Sequence, residues 1–160
     1  MQITRKSVPT EVLGPLPELN TAAPEFSVLD LNDTVRHLSD YQGKPVLISV
    51  FPDIDTRTCD LQTKRFYSLA KEHKDLTILN ISNNSKEQLQ NWCIANGADI
   101  IALRDNEGSF AKAYGLWMPE YKVLARSVFV INADGTLIYE ELVSEMADEP
   151  NYQAALDALA

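Results

Sequence analysis

The chain has 160 residues, and 14 basic against 23 acidic side chains give it a formal net charge of −9. This length fits one domain whose core is large enough to fold without disulfides or metals. The negative charge argues against broad nucleic-acid binding and against docking on anionic membranes, since both use basic surface. No stretch approaches the ~20 apolar residues of a membrane span, and residues 1–20 carry no apolar core of a signal peptide. We therefore expect a soluble, cytoplasmic protein, with a periplasmic location left open if a leader has been removed.

The N-terminal third predicts β-structure. Residues 2–13 alternate around Val8-Pro9-Thr10, which is typical of a short β-hairpin. A proline-rich connection leads to a predicted strand over residues 23–29, and residues 38–43 form a single helical turn that ends at glycine. Residues 46–51 are apolar on both faces, which predicts a strand at the centre of a sheet.

Helices and strands alternate in the middle of the chain. A helix from Cys59 to about His73 is predicted because Cys59, Thr63, Phe66 and Ala70 recur at helical spacing. Residues 76–82 form a second buried strand. Ser85 and Gln88 have the spacing of a capping box, which opens a helix that ends at Gly97.

The last third predicts a short helix, a hairpin and a closing helix. The helix covers residues 109–114, and two strands at 127–131 and 136–143 flank the turn Asn132-Ala133-Asp134-Gly135. Pro150 begins the closing helix, which runs to Leu159. This order predicts one α/β domain over residues 1–160 with a three-layer plan of the thioredoxin type, in which helices flank a central mixed sheet.

Two cysteines stand at positions where redox chemistry is possible. Cys59 lies where a strand turns into a helix, so backbone N–H groups and the positive end of the helix dipole favour its thiolate. Cys93 follows 34 residues later, beside Trp92. A nucleophilic cysteine with one distant partner is the minimum for catalysis through a transient disulfide. A cysteine beside tryptophan is also, in many proteins, only a small buried hydrophobe.

Other uses of cysteine and histidine are disfavoured by their spacing. Two cysteines do not make a disulfide-rich secreted scaffold. The cysteines and the two histidines, His37 and His73, are scattered without the short spacings of zinc ligands. We expect neither a metal nor another cofactor.

The segment around Cys59 resembles a known family. Pro52-x-x-x-Thr56-x-x-Cys59 is the active-site pattern of the peroxiredoxins, and Phe51–Thr56 resembles their thiol peroxidase branch. The segments Trp92-Cys93, Leu124–Val130 and Glu149–Leu156 resemble the same branch. The similarity runs from about Ala23 to the C-terminus, and the N-terminal hairpin fits it.

The resemblance implies a thioredoxin-like fold and an atypical two-cysteine thiol peroxidase that serves antioxidant defence. Such an enzyme reduces hydrogen peroxide and alkyl hydroperoxides, takes electrons from thioredoxin and forms a homodimer. By resemblance, Cys59 becomes a sulfenic acid and then forms an intramolecular disulfide with Cys93.

Three further residues receive roles in this pattern. Arg126 is expected to pair with the sulfur and with a peroxide oxygen, although a surface arginine beside carboxylates is the simpler alternative. The Thr56 hydroxyl is expected to hydrogen-bond beside the sulfur, and Pro52 to shape and dry the pocket. Arg57-Thr58 departs from the smaller or apolar residues that the family often has there. The positive charge of Arg57 either favours the thiolate or points to water.

Residues 115–121 concentrate large apolar side chains in a predicted loop. They suit core packing, a dimer contact or an apolar wall beside the peroxide pocket. We expect Trp117 and Met118 to form that wall, which would admit alkyl hydroperoxides.

Two other functional classes remain as alternatives. A thiol–disulfide oxidoreductase has the same fold, but the chain lacks the C-x-x-C motif that supplies its second thiol. A non-enzymatic binding module would use both cysteines only for packing, and its thiols would not react with stoichiometric peroxide.

Overall fold

The computed structural model describes residues 1–159, in which strands and helices cover nearly equal numbers of residues. The strands are β1 (Gln2–Arg5), β2 (Val8–Glu11), β3 (Ser27–Leu29), β4 (Val35–His37), β5 (Val46–Val50), β6 (Thr77–Ser82), β7 (Ile101–Arg104), β8 (Trp117–Met118), β9 (Val123–Leu124), β10 (Ser127–Ile131) and β11 (Leu137–Leu142). The α-helices are α1 (Arg57–Glu72), α2 (Lys86–Asn96), α3 (Ser109–Tyr114) and α4 (Tyr152–Asp157), and a short 3₁₀ turn covers Leu38–Tyr41.

A mixed seven-stranded sheet with the order β11-β10-β5-β6-β7-β3-β4 forms the centre of the fold. Strands β5, β6 and β7 are parallel, whereas β10 runs antiparallel to β5 and to β11. All five residues of β5 are buried, as expected of an interior strand. Strand β5 ends just before the loop that leads to α1, so the sheet holds the start of this helix in place.

Layers of side chains cover both faces of the sheet. Leu47 packs in a cluster with Phe66 of α1 and Ala155 of α4. Its neighbour Ile48 packs in a separate cluster with Phe110 of α3, because successive strand residues point to opposite faces. The three-layer α/β plan predicted from the sequence is thereby confirmed.

Local chemistry explains how the helix that carries the second cysteine begins and ends. The Ser85 hydroxyl accepts a hydrogen bond from the backbone of Gln88, whose side chain accepts one from the backbone of Ser85 in return. Gly97 ends α2 with φ of 57°, a left-handed conformation that glycine adopts at little cost.

The N-terminal hairpin is confirmed as the antiparallel pair β1–β2, in a sheet of its own. Several predicted boundaries differ, among them the start of the first strand after the hairpin, which is Ser27 and not Ala23. The closing helix begins at Tyr152 after an Asn151 cap, not at Pro150, and it ends at Asp157. The predicted loop at residues 115–121 contains strand β8, which pairs with β9.

The single-domain assignment over 1–160 stays a prediction, and Ala160 lies outside the described residues. No helix within residues 1–159 is long and apolar enough to cross a membrane.

Candidate active site

Cys59 lies in the first turn of the 16-residue helix α1 and has no exposed surface. The N–H groups of a first helical turn lack partners within the helix, and the helix dipole is positive there, so this position favours an anion. The sequence correctly predicts that Cys59 lies at the start of a helix, because the apolar strand β5 is followed by the short loop Phe51–Thr56 and then by helical spacing.

Arg126 lies immediately before β10 and is only 3% exposed. Its Nη1 donates to Cys59 Sγ at 3.3 Å and to Gln62 Oε1 at 2.9 Å. The alternative of a surface ion pair is therefore wrong, since the guanidinium is buried against the sulfur.

Two acceptors other than the sulfur hold the guanidinium. Met146 O accepts from Arg126 Nε at 3.2 Å and from Nη2 at 2.9 Å. Gln62 is itself fully buried, and its amide nitrogen donates to Ser49 Oγ at 2.8 Å and to Val50 O at 3.1 Å. The orientation of Arg126 is thus fixed from both ends of the guanidinium by β5, α1 and the segment after β11.

A pocket of about 340 Å³ opens beside these residues. Pro52, Thr56 and Arg126 line it, as expected from the sequence. The other lining residues are Arg5, Lys6, Asp53, Arg57, Thr58, Tyr121, Val123, Met146 and Ala147. The pocket therefore combines basic groups with an apolar wall, although the protein as a whole is acidic.

Thr56 occupies the residue before α1, but its hydroxyl does not cap the helix. The hydroxyl instead donates to Asp53 O at 2.8 Å. Pro52 is buried in the loop after β5 and lines the same pocket. Arg57 is exposed at the pocket wall.

Cys93 lies inside α2 and is partly exposed. Both cysteines are free thiols, and Cys93 packs against the same apolar cluster that contains Cys59. Burial raises the pKa of the Cys93 thiol, and the charge of Asp99 raises it further. Cys93 is therefore held as a neutral thiol, which contrasts with the cationic surroundings of Cys59.

A hydrogen bond links the neighbours of the two cysteines. Trp92 Nε1 donates to Asp60 Oδ1 at 2.8 Å, and Lys64 forms an ion pair with the same carboxylate at 2.9 Å. This contact ties α2 to the first turn of α1.

The predicted pocket wall is wrong. Met118 has no exposed surface and packs in the core, because β8 pairs with β9 and turns this side chain inward. Trp117 lines a different pocket, of about 640 Å³, that also contains Leu13. Tyr121 and Val123, which follow β8, supply the apolar wall near Cys59.

Sequence reasoning missed Gln62 and the backbone carbonyl of Met146. Gln62 carried one available signal, since it is a polar residue on the apolar face of α1 that includes Cys59 and Phe66. A backbone carbonyl carries no sequence signal.

Within residues 1–159, no cluster of His, Cys, Asp and Glu has the geometry of a metal site.

The chain is similar to known proteins in both sequence and fold. Residues 19–140 match the AhpC/TSA family. A thiol peroxidase of Staphylococcus saprophyticus is 42% identical over 159 residues, which is 98% of this chain and 96% of that protein. A thiol peroxidase of Listeria innocua is 42% identical over 161 residues, with the same coverage of 98% and 96%. A solved thiol peroxidase from Chromobacterium violaceum has the same fold, with a TM-score of 0.90, 18% identity, and coverage of 99% of this chain and 95% of that one.

The fold and the buried cysteine–arginine pair define a peroxiredoxin-type protein. The chain belongs to the AhpC/TSA family, in its thiol peroxidase branch.

Proposed function

We propose that the thiol-dependent peroxidase activity of this chain uses Cys59 as the nucleophile and Cys93 as the resolving thiol. The observation that carries the proposal is the hydrogen bond of 3.3 Å from Arg126 Nη1 to the buried Cys59 Sγ. A thiolate, not a thiol, attacks peroxides, and an adjacent guanidinium favours the charged form.

In the first step, the Cys59 thiolate attacks one oxygen of a hydroperoxide. An S–O bond forms as the O–O bond breaks, and the departing oxygen leaves as hydroxide or alkoxide, which takes up a proton to become water or an alcohol. Cys59 is then a sulfenic acid. Arg126 stabilises both the thiolate and the negative charge on the departing oxygen.

Thr56 and Pro52 shape the place where the peroxide binds. The Thr56 hydroxyl lies at the pocket wall and donates its proton to Asp53 O, so its free lone pairs accept a hydrogen bond from the O–H of the peroxide. Pro52 has no N–H, so it presents a buried apolar surface that keeps water from the sulfur. Tyr121 and Val123 give the pocket an apolar side that suits alkyl hydroperoxides as well as hydrogen peroxide.

In the second step, the Cys93 thiol condenses with the Cys59 sulfenic acid. The S–S bond forms, and the sulfenic oxygen leaves as water. A disulfide needs Cα atoms within about 7 Å. Because both cysteines lie within helical turns and are free, we propose that the first turn of α1 and the end of α2 unwind locally in this step. Hydrogen exchange tests this, since equal protection of both segments in the two redox states would contradict it.

Thioredoxin is the proposed reductant. Its dithiol exchanges with the Cys59–Cys93 disulfide and is itself oxidised, which returns both cysteines to thiols.

We also propose a cytoplasmic homodimer. The exposed Leu13 and the adjacent Trp117, which line the larger pocket, supply apolar surface for the dimer contact. Sedimentation equilibrium tests the dimer, and a monomer at micromolar concentration would remove it.

Cysteine-to-serine variants test the assignment of roles. With thioredoxin and its reductase, we expect the wild type to consume peroxide and Cys59→Ser to be inactive. Cys93→Ser is expected to react with one equivalent of peroxide, to accumulate oxidised Cys59 and then to stop. Turnover by Cys59→Ser would refute the nucleophile. Full turnover by Cys93→Ser with thioredoxin would refute the resolving role.

A further inference from the structure

Glu145 accepts four hydrogen bonds although it lies outside the pocket. Thr4 Oγ1 and the Ser7 N–H donate to Oε1 at 2.9 Å and 2.8 Å. The N–H groups of Lys6 and Ala147 donate to Oε2 at 3.2 Å and 2.8 Å. The bonds from Ala147 and then Ser7 are the main causes that lower the pKa of Glu145 from 4.5 to about 2. The side chain is therefore a carboxylate at any ordinary pH.

The carboxylate stabilises an unfavourable turn. Lys6 and Ser7, which connect β1 to β2, have φ of 49° and 68°. Non-glycine residues rarely adopt this left-handed conformation. The two N–H groups of the turn point at one anion, which offsets the local cost of the conformation.

Backbone hydrogen bonds extend the same contact along the chain. Thr4 N donates to Ser144 O at 2.8 Å, and Met146 N donates to Thr4 O at 2.7 Å. Glu145 and these two bonds fix the segment 144–147 against the hairpin strand β1.

Two backbone carbonyl groups of the segment 144–147 accept hydrogen bonds from residues of the active site. Met146 O accepts from Arg126 Nε and Nη2 at 3.2 Å and 2.9 Å. Ala147 O accepts from Thr58 Oγ1, beside Cys59, at 3.0 Å. The hairpin is thus connected to the catalytic arginine and to the first turn of α1 through one short segment.

We infer that Glu145 is a positioning residue for the peroxidase reaction, which holds Met146 O where it orients the Arg126 guanidinium toward the Cys59 sulfur. The inference rests on the proposed function of Cys59 and Arg126. It also assigns the N-terminal hairpin a role in catalysis, because the hairpin supplies three of the four donors to Glu145.

Glu145→Gln tests the inference with almost no change in shape. All four partners of the carboxylate are donors, so the new amide nitrogen must face at least one N–H group. We expect the rate of peroxide attack on Cys59 to fall about three- to tenfold.

Glu149→Gln is the matched control. It removes the same charge from the same region, but among residues 1–159 the Glu149 carboxylate accepts from the Tyr152 hydroxyl alone, at 2.7 Å. We expect the rate of this variant to stay within twofold of the wild type.

Arg126→Ala provides the background that separates positioning from a general structural effect. If Glu145 acts through Arg126, Glu145→Gln has no further effect on Cys59 reactivity once Arg126 is absent. An equal effect in both backgrounds would overturn the inference, as would a wild-type rate in folded Glu145→Gln. Thr4→Val is the milder variant, since it removes one of the four donors to Glu145. If Glu145→Gln does not fold, Thr4→Val must also lower the rate of peroxide attack on Cys59.

Alkylation of Cys59 by iodoacetamide supplies a readout that needs no peroxide. If the wild type fails to react with peroxide, the proposed function is wrong, but the alkylation rates of the same variants still decide the role of Glu145.

Discussion

Replacement of Arg126 by alanine tests the environment of the Cys59 sulfur most directly. The guanidinium is 3% exposed and donates to Cys59 Sγ at 3.3 Å. A hydrogen bond to a charged group contributes about 1.5–3 kcal/mol, and each ~1.4 kcal/mol changes a rate about tenfold. We therefore expect Arg126→Ala to slow peroxide attack on Cys59 by roughly one to two powers of ten.

The same substitution also removes the donor from two other acceptors, Gln62 Oε1 and Met146 O. Gln62 is fully buried, and an unpaired buried acceptor costs about 1–3 kcal/mol, so the free energy of unfolding is expected to fall by about 1–3 kcal/mol. The rate must therefore be measured where the variant is still folded, as judged by circular dichroism.

The assay is rapid mixing of reduced protein with hydrogen peroxide, followed by quenching with an alkylating agent that counts the remaining Cys59 thiol. Arg36→Ala is the control, since the Arg36 side chain is 43% exposed and its ion pair at 2.9 Å with Asp30 involves no residue of the site. Removal of this surface pair should not change the rate. A folded Arg126→Ala protein that reacts at the wild-type rate would refute the reasoning.

Three other substitutions follow from the geometry. Thr56→Val keeps the shape but loses a hydroxyl, and we expect peroxide attack to slow about fivefold, the equivalent of ~1 kcal/mol; an unchanged rate would contradict its role. Trp92→Phe removes the donor to Asp60, 2.8 Å away, so the two helices separate more easily. Disulfide formation after oxidation should then accelerate about tenfold in quenched alkylation, for a lost bond of ~1.5 kcal/mol, and a slower reaction would refute this. The pKa of Glu145 is lowered from 4.5 to about 2, so its stabilising contribution is complete above pH 4.5 and is lost as the pH falls toward 2. The stability difference between wild type and Glu145→Gln in urea titrations should shrink over this range, and a difference that grows would contradict the sign.

Local sequence signals predicted the frame of the site well. The capping box at Ser85, the stop at Gly97 and the apolar run before Phe51 each act through neighbouring residues, so their consequences can be read from the sequence. They place Cys59 at the start of a helix and Cys93 inside another, as observed.

Contacts between distant segments could not be predicted from such local sequence signals. The bond between Arg126 and Cys59 spans 67 residues, and only the family resemblance suggested it. Gln62, Met146 and Glu145 act through a fold-dependent chain of hydrogen bonds, of which one member is a backbone carbonyl. Hydrophobic character alone likewise could not show that Met118 turns into the core.

The Thr56 hydroxyl illustrates a second limit of sequence reasoning. Its place before α1 is typical of a helix cap, yet the hydroxyl donates to Asp53 O and makes no cap. The short loop after Pro52 brings that carbonyl within reach, so the loop geometry decides between two local partners.

Mass spectrometry of the fully reduced protein after one equivalent of hydrogen peroxide, with thiols alkylated before and after oxidation, tests the two-cysteine peroxidase most directly. The predicted result is the loss of two hydrogens within seconds, mapped to a disulfide between the Cys59 and Cys93 peptides. Two free thiols after several minutes would contradict it. Sulfinic acid on Cys59 beside a free Cys93 would leave the nucleophile in place and refute the resolving thiol.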